Sequence, residues 1–475
     1  MQDSNDHFQG IVDQERGLQR TLSGAQMAMI AIGGAIGTGL FLGSGFAISF
    51  AGPSVLISYA IGAVIALLLM GCLAEMTVAH PTSGSFGAYA GYYVHPWAGF
   101  MVRYAYWASI VLAVGTEVTA IALYMQYWFP GSPAWVWIVL FSSALILINA
   151  FSVKLFGHIE YWFSMIKIVA IVGFIFLGAV IVYGAPADSG IGLHNYVAHG
   201  GFFPHGYWGT WVAVIVSIFS YLSIEMIAVA AGEAKEPVKA ITHAFRAAML
   251  RLVVFYLLTL ALMLAILPWS SAGTDKSPFV MVMEAIHITG APGIINFVVL
   301  IAALSAMNSQ LYITTRMMFS LSRAGYASPQ FGKLSSRGVP VRALALSCIG
   351  ITIATAMSIL YPQAAFTLMM SVSMFGAMFT WLMIFVTHWF FRRRWVAQGA
   401  QPLPFRMWGF PWLTLLGVVL MLSIMITTWF TDAFHATLLF GVPFVVVLSV
   451  IYFIWYRKPV PLPVDPQKMR EAASN

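Results

Sequence analysis

Three of the ionisable residues that lie inside long apolar runs are candidates for a chemical role, because each run is long enough to cross a membrane. They are Glu117 within AVGTEVTAIALYM, Lys167 within EYWFSMIKIVAI, and Glu225 within VSIFSYLSIEMIAVAAGE. A charge at the centre of a membrane helix costs about 2.5–3.5 kcal/mol on insertion scales. Such residues are therefore candidates for carrying a proton, pairing with an ion or holding a polar ligand.

Each of the three has several chemical roles open to it. Glu117 can pair with a basic partner or accept a proton. Lys167 can extend its ammonium group to the membrane surface, or face inward and take the place of a bound sodium ion, which permits coupling to protons. Glu225 can accept a proton, hold a substrate amine or cap free backbone donors.

The segment IAIGGAIGTGLFLGSG (30–45) contains six glycines in sixteen positions. Unpaired backbone is tolerated in a membrane only where it lines a cavity or is buried in protein. GGAIGTG (33–39) therefore predicts an unwound joint between two half-helices, with the amides of Gly37, Thr38 and Gly39 at a helix N-terminus that favours a carboxylate. Close helix packing is the alternative. The glycine spacing and the missing Gly-Lys-Ser/Thr ending exclude nucleotide-binding loops.

A second apolar run has a comparable irregularity. Ser217, Ser220, Ser223 and Glu225 fall in the middle of 208–231, the sixth apolar segment. Interrupted helices at matching positions of two halves indicate a transporter site. We therefore expect two five-helix halves of opposite topology.

The composition places the whole chain in a membrane. Hydrophobic residues make up 60% of the 475 residues and charged residues 8%, whereas soluble domains have about 25% charged residues. Spanning helices need about 20 apolar residues. Twelve such segments can be drawn, at 25–50, 53–78, 98–129, 134–151, 160–184, 208–231, 248–269, 291–321, 341–360, 364–391, 408–430 and 434–456.

The distribution of positive charge predicts the orientation of the chain. If the N-terminus is inside, only Lys276 of the Lys and Arg residues lies in an external loop, and Lys167 lies inside a span. This asymmetry follows the positive-inside rule and predicts both termini in the cytoplasm, so the net charge of +7 does not indicate nucleic-acid binding. We expect a polar tail at 1–21, one transporter domain at 22–457 and a second tail at 458–475.

The chain shows no constellation typical of an enzyme, a cofactor site or a channel. Its eleven histidines are scattered, and the loose spacing of His194, His199 and His205 favours ordinary loop polarity over a metal site. The stretch 80–96 predicts either a short interfacial helix or a loop. The two cysteines are expected to be buried free thiols.

Five motifs in order resemble the bacterial amino acid permeases of the amino acid–polyamine–organocation superfamily. They are IAIGGAIGTGLF (30–41), PTSGSFGAYA (81–90), FGHIEYWFSMIKIV (156–169), IEMIAVAAGEAKEP (224–237) and LSAMNSQLYITTRMMFSL (304–321). The resemblance implies an all-α integral membrane protein with twelve transmembrane helices. Two inverted five-helix repeats would contain broken helices 1 and 6, followed by helices 11 and 12.

The resemblance also implies roles for particular residues. Gly37, Thr38 and Gly39 would contact the substrate carboxylate. The substrate ammonium group would meet carbonyls near Ile32, Ala35, Phe219, Ser220 and Ser223. Phe219 would occlude the substrate, Glu225 matches the acidic residue of helix 6, and Lys167 matches the lysine that replaces a sodium site. Tyr89, Asn308 and Arg316 match family positions with scaffold roles. One departure is FSYLSIE (219–225), because Ser223 stands where the family commonly has glycine.

These observations predict a secondary active transporter in the bacterial cytoplasmic membrane. We expect it to import an amino acid with a proton by alternating access, without a cofactor or a metal. An exchanger of amino acids or amines is the alternative, and a nutrient sensor that does not transport is a more distant one. The expected partners are the amino acid, protons and membrane lipid. Cationic, aromatic, proline-like, 4-aminobutyrate and sulfonium substrates are all compatible, and the sequence assigns no oligomeric state.

Overall fold

The computed structural model describes residues 22–186, 189–234, 237–273, 276–399 and 403–456, without the side chains of 28, 31, 32, 237 and 239–252. Both predicted tails, 1–21 and 458–475, lie outside the described residues. The described part is helical, and its β pairing is limited to an isolated bridge between Leu22 and Ala234.

Eighteen α-helices follow one another along the described chain. They are α1 Gly24–Ala35, α2 Thr38–Phe41, α3 Gly43–Ala51, α4 Val55–Ala79, α5 Ser85–Tyr93, α6 Pro96–Gln126, α7 Ala134–Phe151, α8 Val153–Gly184, α9 Gly206–Tyr221, α10 Met226–Ala230, α11 Pro237–Ile266, α12 Pro278–Ala285, α13 Ala291–Arg323, α14 Val341–Ser347, α15 Ile349–Leu360, α16 Ala365–Ala397, α17 Trp412–Trp429 and α18 His435–Ile451.

Ten helical runs in the described part are long and apolar enough to cross a membrane. Two of the twelve predicted segments, 25–50 and 248–269, are not among these ten runs as separate spans. The first is cut by the break after α1, and the described apolar part of the seventh is the shorter run Val253–Ile266. The structure therefore supports a multi-pass helical protein, and the count of twelve spans stays a prediction.

The helices divide into a buried centre and a lipid-facing periphery. The most apolar window of the run Gly206–Glu233 is wholly buried, whereas 22% of the corresponding window of Val153–Gly184 is buried. Large apolar side chains are exposed on the peripheral helices, as expected for surfaces that are solvated by lipid. α1 packs against α8, α11 and α13, and α9 packs against α3 and α4, so the two interrupted segments lie inside the bundle.

The stretch 80–96 forms a short helix, α5, that packs on α6 and α16. Most of its side chains are buried, so it is part of the bundle rather than a surface loop. The preceding His80 contacts the Tyr93 hydroxyl through Nε2 at 2.6 Å. Burial lowers the pKa of His80 to about 4, so its ring is neutral at physiological pH and joins α5 to the end of α4 without a charge.

Candidate functional site

The first interruption falls between α1 and α2. α1 ends at Ala35 and α2 begins at Thr38, preceded by Gly37 in an extended conformation with φ −122° and ψ −152°. The unwound part is therefore limited to Ile36 and Gly37, which is shorter than the predicted 33–39. Because helix ends leave backbone groups without intrahelical partners, the last carbonyls of α1 and the first amides of α2 can bond to groups outside the helix at this point.

Gly33 and Gly34 lie within α1 and allow close packing rather than unwinding. A β-carbon on Gly33 would lie 2.1 Å from Ser164 Oγ on α8, and one on Gly34 would lie 3.0 Å from Met226 Sδ on α10. Both approaches leave no room for a side chain unless a neighbour moves. The packing explanation for the glycine-rich segment is thus right for these two residues, and the unwinding explanation applies at Gly37.

The second interruption separates α9 from α10. α9 ends at Tyr221, a turn covers 222–225, and α10 begins at Met226. Within the turn, Ser223 has a φ of +78°. This left-handed conformation favours glycine, because a β-carbon there clashes with the following carbonyl oxygen. Ser223, which stands where the resembled family commonly has glycine, therefore adopts a backbone conformation that favours glycine.

A Ser223→Gly variant is expected to raise thermal stability. The left-handed conformation costs a residue with a β-carbon about 1–2 kcal/mol, and glycine returns about 0.5–1 kcal/mol of that as extra entropy of the unfolded chain. The expected net gain is therefore about 1 kcal/mol or less, measured as a melting temperature in detergent. Ser223→Ala is the matched control, since it removes the hydroxyl and keeps the β-carbon. An equal gain in both variants would contradict the backbone explanation.

The two interruptions contact each other directly. A β-carbon on Gly39 would lie 2.6 Å from Ser220 Cα, so the backbones of α2 and α9 touch at this glycine. The Ser220 hydroxyl donates to the Gly39 carbonyl at 2.8 Å and lies 2.8 Å from the hydroxyl of Tyr59 on α4. The predicted residues of the two breaks therefore come together, although about 180 positions separate them in the sequence.

Glu117 lies against the beginning of α2. The Thr38 amide donates to Glu117 Oε2 at 3.3 Å, and a β-carbon on Gly37 would lie 2.8 Å from Glu117 Oε1. The side chain is only 3% exposed. A carboxylate at the N-terminus of a helix is stabilised by the free amides and by the helix dipole. The anion-binding position that the sequence predicts is thus in contact with a carboxylate of the protein itself.

Lys167 lies on the other side of the same break. Its ammonium group donates to the Gly33 carbonyl, to the Ile36 carbonyl at 2.9 Å and to Ser305 Oγ at 2.8 Å. The residue is fully buried on α8, so it does not extend to the membrane surface. A cation that is held by two backbone carbonyls and a hydroxyl has an oxygen environment like that of a bound metal ion. The inward-facing alternative is therefore the one observed.

A second buried carboxylate, Glu160, was missed by the sequence reasoning. It accepts hydrogen bonds from Ser305 Oγ and from Asn308 Nδ2, the latter at 3.0 Å, and Ser305 also binds Lys167. Glu160 is thus linked to Lys167 through one hydroxyl. The two residues are seven positions apart on α8, which places them on one face of the helix. The seven-residue spacing was the signal in the sequence that could have paired Glu160 with Lys167. Glu160 was passed over because it is the first residue of the predicted segment 160–184, where a carboxylate can lie at the membrane surface.

Tyr256 on α11 was also missed. Its hydroxyl lies 2.8 Å from the Ala35 carbonyl and 2.8 Å from the Ser220 carbonyl, one from each interruption. A hydroxyl has one hydrogen, so it can donate to only one of the two oxygens at a time. Nothing in the surrounding VVFYLLTLAL distinguishes this tyrosine from an ordinary core residue.

Glu225 belongs to a different cluster. Its carboxylate accepts from the Tyr106 hydroxyl at 2.7 Å, from Trp381 Nε1 at 3.1 Å and from the Ser223 amide at 3.2 Å. These donors join the second break to α6 and α16. One of these contacts, to the Ser223 amide, caps a backbone donor of the break. Phe219, 6% exposed, lies at the last turn of α9, where its ring would be 4.0 Å from a β-carbon on Gly43.

Two further ion clusters connect the helices away from the breaks. Arg316 on α13 binds Glu233 at 2.8 Å, and the Leu22 amide donates to the Glu233 carbonyl at 3.2 Å. Glu75 on α4 binds Arg392 and His388 on α16. Removing one partner of a buried pair leaves an uncompensated charge, so these residues hold their helices together.

The structure brings together most of the predicted site residues. Ala35, Gly37, Thr38, Gly39, Ser220, Glu117 and Lys167 surround the paired breaks, whereas Glu225 lies in the neighbouring cluster. Ile32 lies in α1 before the break, and its side chain is outside the described residues. Among the residues that the structure describes, no three His, Cys, Asp or Glu side chains are placed to hold a metal ion.

Comparison with known proteins supports the resemblance that the five sequence motifs indicated. The amino acid permease family model matches residues 26–462. The chain is 37% identical over 447 residues to the gamma-aminobutyric acid permease of Bacillus subtilis (strain 168), covering 94% of this chain and 95% of that one. It is 37% identical to a putative histidine permease of the same organism, covering 92% and 93%. It is 36% identical to the amino-acid permease RocC of that organism, covering 96% and 98%.

The long apolar helices and the paired interruptions inside the bundle define a multi-pass helical membrane protein of the transporter type. The chain belongs to the amino acid permease family, as its motifs predicted. Proteins of this family are transporters and not enzymes, so the chain is a membrane transporter of amino acids.

Proposed function

We propose that the protein imports an α-amino acid together with a proton across the bacterial cytoplasmic membrane by alternating access. The observation that carries the proposal is the contact between the two interrupted helices, where backbone amides and carbonyls of the breaks are held by side chains beside a fully buried lysine. In this proposal twelve spans form two inverted five-helix repeats plus two further helices. Residues 22–457 form the transporter domain, and both tails are cytoplasmic.

The two poles of the substrate would bind to opposite ends of the interruptions. The amides of Gly37, Thr38 and Gly39 would hold the carboxylate, because a helix N-terminus carries partial positive charge. Carbonyls of the α1 break near Ile32 and Ala35 would hold the ammonium group. Those of the α9–α10 break, at Phe219, Ser220 and Ser223, would complete the site. The support is that Gly39 and Ser220 touch, so one small molecule can reach both breaks.

Lys167 is the proposed coupling residue. Its three contacts give the α1 break a fixed positive charge in place of an exchangeable cation, which removes the need for sodium and leaves the proton as the coupling ion. Glu117 and Glu225 are the proposed proton or side-chain sites. Phe219 would close the external path as the two halves move.

The substrate class is a free amino acid or a close analogue. The relatives named above are a gamma-aminobutyric acid permease, a putative histidine permease and an amino-acid permease, so their names do not point to one particular substrate for this chain. Competition against uptake of a labelled amino acid mixture by each standard amino acid and by 4-aminobutyrate would identify the substrate. We expect one chemical class to compete strongly and the rest weakly.

The proposed mechanism predicts that uptake follows the proton gradient. Purified protein in proteoliposomes is expected to accumulate the best competitor of the panel when the exterior is made acidic, and to lose accumulation when a protonophore collapses the gradient. If uptake does not depend on the proton gradient and requires amino acid on both sides of the membrane, the protein is instead an exchanger. Binding without any net flux would establish the sensor and contradict transport by this chain.

A further inference from the structure

A cluster of arginines lies where α16 ends and the chain turns towards α17. The segment 388–412 contains Arg392, Arg393, Arg394 and Arg406, and it contains no Asp or Glu. Arg393 and Arg394 are exposed near the C-terminal end of α16, and Arg406 is exposed in the connection that follows. The proposed transport site uses none of these four residues.

The connection between the two helices is fixed by its backbone at Met407. The Met407 amide donates to Glu75 Oε2 at 2.8 Å, and the Met407 carbonyl accepts from Arg392 Nη2 at 3.0 Å. Met407 is 2% exposed, whereas its neighbours Arg406 and Trp408 are both exposed. The two backbone bonds therefore hold Arg406 and Trp408 at the surface of the protein.

Positive charge at this turn is not balanced by the carboxylate that contacts it. Both oxygens of Glu75 are already occupied, since one accepts from Arg392 Nη1 and the other lies 3.1 Å from His388 Nε2 and accepts from the Met407 amide. Arg392 and Arg406 also interact electrostatically, and like charges repel each other. An anion bound at the turn would offset this repulsion.

The aromatic residues beside the arginines are typical of a membrane surface. Trp408 is 72% exposed, and Trp412, the first residue of α17, is 76% exposed. Tryptophan is enriched at the level of the lipid headgroups, because its ring is apolar and its N–H group is polar. The turn therefore presents fixed cations and two large rings at the depth where the hydrocarbon of the membrane ends.

We propose that this turn binds an anionic phospholipid whose phosphate group is held by Arg393, Arg394 and Arg406. Guanidinium groups match phosphate oxygens in geometry as well as in charge. In the proposed orientation the turn faces the cytoplasm, and basic clusters at that surface attract anionic lipid. The two tryptophans would lie beside the glycerol ester region of the same lipid. The binding site is separate from the proposed amino acid site and goes beyond transport.

Native mass spectrometry of the purified full chain measures the lipid affinity directly. The probes are phosphatidylglycerol and phosphatidylcholine with identical acyl chains, titrated into protein that has been stripped of lipid in detergent. We expect phosphatidylglycerol to bind about a hundredfold more tightly, because each of three basic residues near an anionic group contributes about fivefold. The triple variant Arg393→Gln, Arg394→Gln, Arg406→Gln should bind the two lipids about equally.

A matched triple variant makes the result specific to this turn. The segment 333–342 carries three other exposed basic residues, and the variant Lys333→Gln, Arg337→Gln, Arg342→Gln removes the same charge from it. This variant should keep the wild-type preference for phosphatidylglycerol. If the triple variant of the turn does not fold, the single variant Arg406→Gln, outside the helices, should reduce the preference about fivefold.

Equal affinity of the wild type for the two lipids would overturn the proposal. An equal loss of preference in both triple variants would also overturn it and leave the arginines as a signal for orientation only. Glycerol 3-phosphate is the third probe and separates a lipid from a soluble phosphate. We expect it not to displace phosphatidylglycerol, and complete displacement would assign the site to a soluble phosphate and contradict the lipid.

Discussion

A Lys167→Ala transporter is expected to lose proton-driven accumulation of its substrate. The substitution leaves the carbonyls of Gly33 and Ile36 without their ammonium partner, and the Ser305 hydroxyl keeps only its bond to Glu160. Each buried acceptor left unpaired costs about 1–3 kcal/mol. The α1 break is therefore expected to change shape, and accumulation in proteoliposomes under an imposed proton gradient should fall to the level of protein-free vesicles.

The control for this experiment lies on the same helix. Lys154 is exposed on α8, and Lys154→Ala should accumulate substrate as the wild type does. Counterflow measured in the same vesicles separates loss of coupling from loss of folding, because counterflow needs an intact site but no gradient. Gradient-driven accumulation by Lys167→Ala at the wild-type level would remove the lysine from the coupling mechanism.

A Gly39→Ala transporter is expected to lose substrate binding. The added methyl group would lie 2.6 Å from Ser220 Cα and 3.1 Å from the Ser220 nitrogen, and backbone atoms cannot rotate away as a side chain can. Overpacking of this kind costs about 1–3 kcal/mol. Because the methyl group forces the two breaks apart, we expect uptake to fall by about fivefold to a hundredfold, since about 1.4 kcal/mol corresponds to a factor of ten.

Gly43→Ala is the matched control, one turn further along the same segment. Its β-carbon would meet the Thr38 carbonyl and Val216 Cγ1 at 3.6 Å, which is ordinary van der Waals contact. This variant should therefore transport at close to the wild-type rate. If both variants transport equally well, the contact between Gly39 and Ser220 is not needed for the site.

The sequence predicted the features that are local to one segment. The glycines of 33–39 and the serines around Ser220 indicated the two interruptions, because each breaks the pattern of its own apolar run. The burial cost of Lys167 in an apolar helix marked it as a residue that needs a polar partner, and left its direction open between the membrane surface and the interior. These arguments need only the residues of one segment. The structure has both interruptions, and the unwound part of the first is limited to Ile36 and Gly37.

The sequence did not reveal the features that depend on contacts between distant helices. The bond between Thr38 and Glu117 joins residues 79 positions apart, and that between Tyr256 and Ala35 joins residues 221 apart. No local pattern shows which carboxylate will reach a given amide. Glu160 was missed for the same reason, since its meaning comes from Ser305 on α13.

The most direct measurement of the central claim is a structure of the reconstituted transporter with its best substrate bound. The account predicts the substrate carboxylate at the amides of Thr38 and Gly39 and its ammonium group at the carbonyls of Ala35 and Ser220. A substrate bound elsewhere in the bundle, with α1–α2 and α9–α10 making no contact to it, would contradict the account.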